Sequence, residues 1–98
     1  MNTNFKMWSL YPFIARDIAV WAGIEDMDAL KKILKDNAGE LLIREPYMFD
    51  SFSKEGKTSY AFRLVFQSYD RTLTDVEINE IMTKITNKIK EKSGWQVR

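Results

Sequence analysis

Ninety-eight residues leave room for one domain with a single hydrophobic core. Hydrophobic residues at 45% and charged ones at 30% commit the chain to folding. Its 15 Lys and Arg against 14 Asp and Glu give a net charge of +1, which excludes gripping nucleic acid mainly through bulk charge. With no Cys and no His, disulfides and thiolate chemistry are excluded, and the commonest general base and transition-metal ligand are missing. No apolar run approaches the roughly 18 residues of a membrane span. The first six residues lack the apolar stretch of a secretion signal, so a cytoplasmic setting is expected.

Residues 1–10 read as a lead-in, with Phe5, Met7, Trp8 and Leu10 able to pack on the domain that follows over 11–98. Pro12 fixes its own φ and pushes Tyr11 into an extended conformation. A first strand runs from about Phe13 to Ala22, and Gly23 breaks it. Glu25 or Asp26 starts a helix to Ala38, with Met27, Leu30, Ile33 and Leu34 on one face and Gly39 as its stop. Capping accounts for the carboxylates Asp26 and Asp28 at that start.

A second strand covers roughly Leu41 to Phe52, where Pro46 argues for an edge position or a bulge. Lys54-Glu55-Gly56-Lys57 reads as a hairpin tip. The third strand, Ser59 to Gln67, alternates: Tyr60, Phe62, Leu64 and Phe66 on one side; Ser59, Ala61, Arg63, Val65 and Gln67 on the other. Thr74 and Glu77 form a capping box that opens a helix from Asp75 to about Lys92, with Ile78, Ile81, Met82, Ile85 and Ile89 at helical spacing. Gly94 ends it, and Trp95 to Arg98 supply a short last strand.

The order βαββαβ is the ferredoxin-like α+β plan, a four-stranded antiparallel sheet with both helices on one face. Strand parity then decides what looks outward from the free face. Ser59, Ala61, Arg63, Val65 and Gln67 line it from the third strand, and Asp17, Ala19 and Trp21 from the first. Small residues let a nucleobase approach the backbone, an aromatic gives a stacking plane, and Arg meets phosphate or a base edge. From the residues alone, crowding between strands is the simpler account of Ala19 and Ser59, and a core or rim role the default for Phe52. Arg63 is read either as a cross-strand partner for a carboxylate or as a ligand contact. Arg16-Asp17 reads as a structural pair, Arg71 as a loop brace, and Lys84, Lys88, Lys90 and Lys92 as a solvated helix face.

Four motifs occur in order: Y-P-x-x-x-R-D-I-A-V from Tyr11, Met48-Phe49-Asp50-Ser51-Phe52, S-x-A-F-R-L-x-F-Q-S from Ser59, and R-T-L-T-D-x-E from Arg71. From residue 11 to Arg98 the set resembles the C-terminal anticodon-binding domain of phenylalanyl-tRNA synthetase. That resemblance implies an accessory domain without catalysis or cofactor of its own, at the end of a longer chain. The parent would be an ATP- and magnesium-dependent ligase whose active site lies elsewhere. The implied partners are the anticodon stem-loop of phenylalanine tRNA, the rest of the synthetase β subunit and its α subunit, with no membrane. It also implies that Ala19, Phe52 and Ser59 hold anticodon bases. Two departures bear on this: Phe52 stands where many bacterial members have Tyr, losing a hydroxyl. Thr58 precedes Ser59 where the family has Lys, and Lys57 is displaced by one place, which weakens the case for a phosphate contact there.

Other functions fit less well. A ferredoxin-like acylphosphatase needs an arginine cradle and a water-placing asparagine, and no basic phosphate loop follows the first strand. An RRM-like binder would need Tyr60 and Phe62 in solvent, where the helices need them as core. A ligand-binding or protein-docking module of the same plan, unrelated to tRNA, is the remaining alternative.

Overall fold

The computed structural model describes residues 11–98, so the lead-in expected over 1–10, with Phe5, Met7, Trp8 and Leu10, lies outside the described residues. The elements are β1 (Ile14–Ala22), α1 (Met27–Ala38), β2 (Tyr47–Lys54), β3 (Lys57–Phe66), α2 (Asp75–Lys90) and β4 (Gln96–Val97). They form one sheet in the order β2-β3-β1-β4, each neighbouring pair antiparallel. This is the ferredoxin-like α+β plan.

The core is built from two sheet residues in every four and one stripe of each helix. Ile18, Val20 and Ala22 of β1 and Tyr60, Phe62, Leu64 and Phe66 of β3 are buried together with Leu30, Leu34 and Ala38 of α1 and Ile78, Ile85 and Ile89 of α2. Period 2 in the strands and period 3.6 in the helices thus converge on one side of the sheet. Each fully buried Leu or Ile contributes about 1.5–3 kcal/mol of transfer free energy. Tyr60 keeps its hydroxyl satisfied inside: it lies 2.8 Å from the Gly23 carbonyl oxygen and 2.7 Å from that of Ile24, sharing its one proton.

Three local outcomes differ from the sequence reading. The second strand begins at Tyr47, not Leu41. Residues 39–41 form a 3-10 turn, Leu42 bridges to Phe66, and the Ile43 amide donates to the Val65 carbonyl at 3.1 Å. The chain then leaves the sheet at Pro46, which has no amide to give to a ladder. Asp26 is the N-cap residue of α1, yet its side chain makes no cap bond. Its Oδ2 instead accepts from the Gly23 amide at 2.8 Å and from Trp95 Nε1 at 2.9 Å, tying the β1–α1 connection to the approach to β4. Finally, α2 ends at Lys90 and β4 is confined to two residues.

The capping box is formed as read: Thr74 Oγ1 accepts from the Glu77 amide and Glu77 Oε2 accepts from the Thr74 amide at 2.9 Å. Arg71 pairs with the same Glu77, which makes it a brace on the helix start. Arg16 does not pair with its neighbour Asp17; it reaches Asp75 and Asn79 at the start of α2, each at 3.3 Å.

Candidate nucleic-acid interface

The sheet face without helices is organised by register into three rows. In the first, Phe52 of β2, Ser59 of β3, Trp21 of β1 and Gln96 of β4 stand side by side. In the second, Asp50, Ala61 and Ala19 are aligned, and the Arg98 amide closes the row by donating to the Ala19 carbonyl at 2.8 Å. In the third, Tyr47, Arg63 and Asp17 face one another. Two half-buried alanines therefore floor the middle, between a row rich in aromatics and a row holding an ion pair.

A β-bulge assembles this arrangement. Met48 pairs with Phe62, but the next β3 residue, Ala61, pairs with Asp50, leaving Phe49 as the extra residue. In a regular strand, positions 49 and 52 would point to opposite faces. The bulge resets the parity, so that Phe49, Asp50 and Phe52 share the open side. Their neighbour Tyr47 is there as well, and all three β2 aromatics are at least two-fifths exposed: Tyr47 53%, Phe49 42%, Phe52 43%. β2 is an edge strand, where bulges are common and Pro46 is tolerated just before the first pair.

Arg98 binds the first row together. Its Nη1 donates to Ser59 Oγ at 2.9 Å, and its guanidinium carbon lies 5.2 Å from the Phe52 ring centroid and 5.7 Å from that of Trp21. The two rings meet edge to face at 5.3 Å. Such contacts orient planar groups as well as hold them. Beyond Trp21 an open cleft of about 360 Å³ is lined by Lys54, Glu55, Lys57 and Gln96. Lys57 Nζ is drawn toward the Gly94 carbonyl at 3.5 Å.

The third row is a bidentate pair. Arg63 Nε donates to Asp17 Oδ1 at 2.8 Å and Nη2 to Oδ2 at 3.0 Å. This hydrogen bond is the main reason the Asp17 carboxyl is held below the usual carboxylate range. The Arg63 guanidinium carbon also lies 4.9 Å from the Phe49 ring centroid.

Of the residues expected at the site, Ala19, Trp21, Phe52 and Ser59 come together around Arg98. Ser59 is 2% exposed, because Arg98 occupies its hydroxyl. It lies on the open side, as its parity requires, but beneath a side chain and not in solvent. Arg63 and Asp17 form the cross-strand pair, two rows from Ser59. Sequence reasoning does not place Arg98, Phe49 or Tyr47 on the open face, where the structure puts them. Arg98 has a usable signal: once Val97 is set opposite Val20, residue 98 must fall on the open face.

Residues 9–98 match the ferredoxin-fold anticodon binding domain family. The chain belongs to this family. The chain is similar to the phenylalanine–tRNA ligase beta subunit of Aquifex aeolicus, 40% identical over 97% of this chain and 13% of that protein. The beta subunit of Trichormus variabilis is 36% identical over 96% of this chain and 12% of its own length. A chloroplastic/mitochondrial phenylalanine–tRNA ligase of Arabidopsis thaliana is 32% identical over the whole chain and 23% of the relative. The chain thus spans less than a quarter of each of these relatives' length. Among the described residues no helix is long and apolar enough to cross a membrane.

Proposed function

We propose that this domain binds the anticodon loop of phenylalanine tRNA and fixes the pose of that tRNA for aminoacylation elsewhere. The parent is read as the β subunit of a cytoplasmic phenylalanine–tRNA ligase. Its α subunit, ATP, magnesium and reacting centre lie outside this chain. The observation that carries the reading is the gathering of Phe52, Trp21 and Arg98 beside the Ala19–Ala61 floor on the helix-free face. An unpaired base can lie on that floor because no side chain longer than a methyl rises from it. Phe52 and Trp21 provide a π-surface that any base can use.

Asp50 gives the face a direction. Its carboxylate is exposed, and no hydrogen bond or ion pair holds it among the described residues. A carboxylate repels phosphate and accepts from the ring and amino N–H groups of a base. Bases therefore turn inward and the backbone stays at the rim, where Lys54 and Lys57 flank the cleft beyond Trp21. Contact with Ser59 requires Arg98 to exchange its serine bond for one to the RNA.

The test is binding of a phenylalanine tRNA anticodon hairpin to the domain, and charging by the full synthetase. Phe52→Ala should weaken RNA binding by about 1–3 kcal/mol, the usual worth of a base–aromatic stack. In the full enzyme it should lower tRNA charging and leave activation of phenylalanine by ATP intact. A parallel loss of both activities would mean that Phe52 acts only by supporting the structure.

A further inference from the structure

We propose that the bulge at Phe49 builds a second stacking subsite, for another unpaired base of the same RNA, separate from the one at Phe52 and Trp21. The inference rests on the open face taking a single-stranded loop, as argued above. Its parts are Phe49, Arg63, Asp17 and Tyr47.

The geometry is that of a prepared plane. Asp17 takes two of the Arg63 nitrogens, so the guanidinium is fixed in orientation, not left to sweep. The Arg63 group lies over the Phe49 ring at 4.9 Å, and Phe49 as a residue is still 42% exposed, so it is not covered by its neighbours. Arg63 Nη1 has no partner among the described residues, which leaves a donor for a phosphate or a base edge. Tyr47, opposite Arg63 in register and 53% exposed, closes the outer side.

Charge and spacing identify the occupant. Asp17 neutralises most of the Arg63 charge, so the site does not attract an anion as such; it offers flat, polarisable surface with one spare donor. That suits a nucleobase with its attached phosphate, and is tolerant of base identity because every base has a π-face. Ser59 and Arg63 are four residues apart on β3, about 13 Å at strand rise. One base cannot cover both ends. Two bases splayed from a loop can, with Ala19, Ala61 and Asp50 between them. An ordinary rim phenylalanine would shield the arginine stem without meeting a base, and the following experiment separates the two roles.

An anticodon hairpin of phenylalanine tRNA is made with 2-aminopurine at each loop position in turn and titrated with the 98-residue protein. Stacking on an aromatic quenches the probe. Quenching is expected at two positions. Phe49→Ala should restore emission at one of them only and weaken binding roughly 5-fold or more, within the range of a lost base stack. Phe52→Ala should restore the other, and Phe49→Trp should keep both quenched. Arg63→Lys, which keeps the charge and loses the plane, should resemble Phe49→Ala. Circular dichroism of each variant should match the parent. If the wild-type chain binds but Phe49→Ala and Arg63→Lys leave every position unchanged, or one position answers equally to Phe49→Ala and Phe52→Ala, the second subsite is overturned while the anticodon reading stands. If the wild-type chain does not bind the hairpin, both fall.

Discussion

Arg98 shows how one side chain can set the state of a site. Its amide is tied to β1 by the bond to the Ala19 carbonyl, which sets its side chain over the open face. It stacks near two rings and bonds to Ser59, a combination that needs a planar, multiply donating group. Arg98→Lys should therefore fail to restore what Arg98→Ala loses: both should lower hairpin affinity, by isothermal titration, about as much as loss of one stacked contact. If Arg98→Ala instead bound more tightly, Arg98 would be a lid over Ser59 and not a contact. The Asp17–Arg63 pair makes a separate prediction at this scale. Asp17 is held below its ordinary range chiefly by the Arg63 hydrogen bond, so folding favours its ionised form. Its stabilising effect is complete above the unfolded carboxylate pKa and is lost as pH falls through the lower, folded value. Glu77 shifts the same way, first through the Thr74 amide and then through Arg71. Asp17→Asn should thus unfold at a lower temperature than the parent at neutral pH. The gap should narrow on acidification below the usual carboxylate range, and an unchanging gap would assign the effect to something other than this titration.

At the scale of elements, local signals and pairing divide the work. The capping box is a local signal and its energy is local: Thr74→Ala should cost about 1 kcal/mol in chemical denaturation, with Leu73 and the α2 core residues still in place. The hairpin is less well fitted. Glu55 has φ 52° and Gly56 φ 81°, both positive, as in a two-residue type I′ turn, where Asn-Gly is the preferred pair. Glu55→Asn should raise stability by about 0.5–1 kcal/mol, measured the same way, since Asn tolerates this region better than Glu. Helices, core strands and the Thr74–Glu77 capping box are legible in the sequence because each follows a period or a short spacing rule, whereas the cap expected from Asp26 is not formed. The bulge was not legible, because nothing local marks which residue of Met48-Phe49-Asp50 is skipped by Phe62 and Ala61. Pro46 hinted at an edge or a bulge, and the irregularity came three residues later. Ala19, Trp21 and Ser59 were placed on the correct face by parity alone. The closure of Ser59 was hidden, because it depends on how a two-residue strand carries Arg98 beside β1.

For the whole molecule the question is how a nearly neutral domain can hold a polyanion. The net charge is +1, and the cations of the open face are few: Arg63 is already paired with Asp17, and Arg98 faces aromatic rings. Lys54 and Lys57 edge the cleft beyond Trp21, while Asp50 opposes phosphate in the middle of the face. On the proposed reading, binding draws on stacking and base contacts more than on released counterions. Single strands lose affinity with salt at a slope near −0.7 per neutralised phosphate, so two or three contacts predict a slope on the order of −1.5 to −2 in a plot of log affinity against log salt. Removing the basic edge by Lys54→Ala together with Lys57→Ala should flatten that slope by about 1.4 if each lysine meets one phosphate, whereas Phe52→Ala should lower the whole line and keep its slope. These two responses distinguish a stacking platform from an electrostatic one. A steep slope that the lysine changes abolish, with Phe52→Ala silent, would show that charge holds the RNA and that the aromatic tray does not.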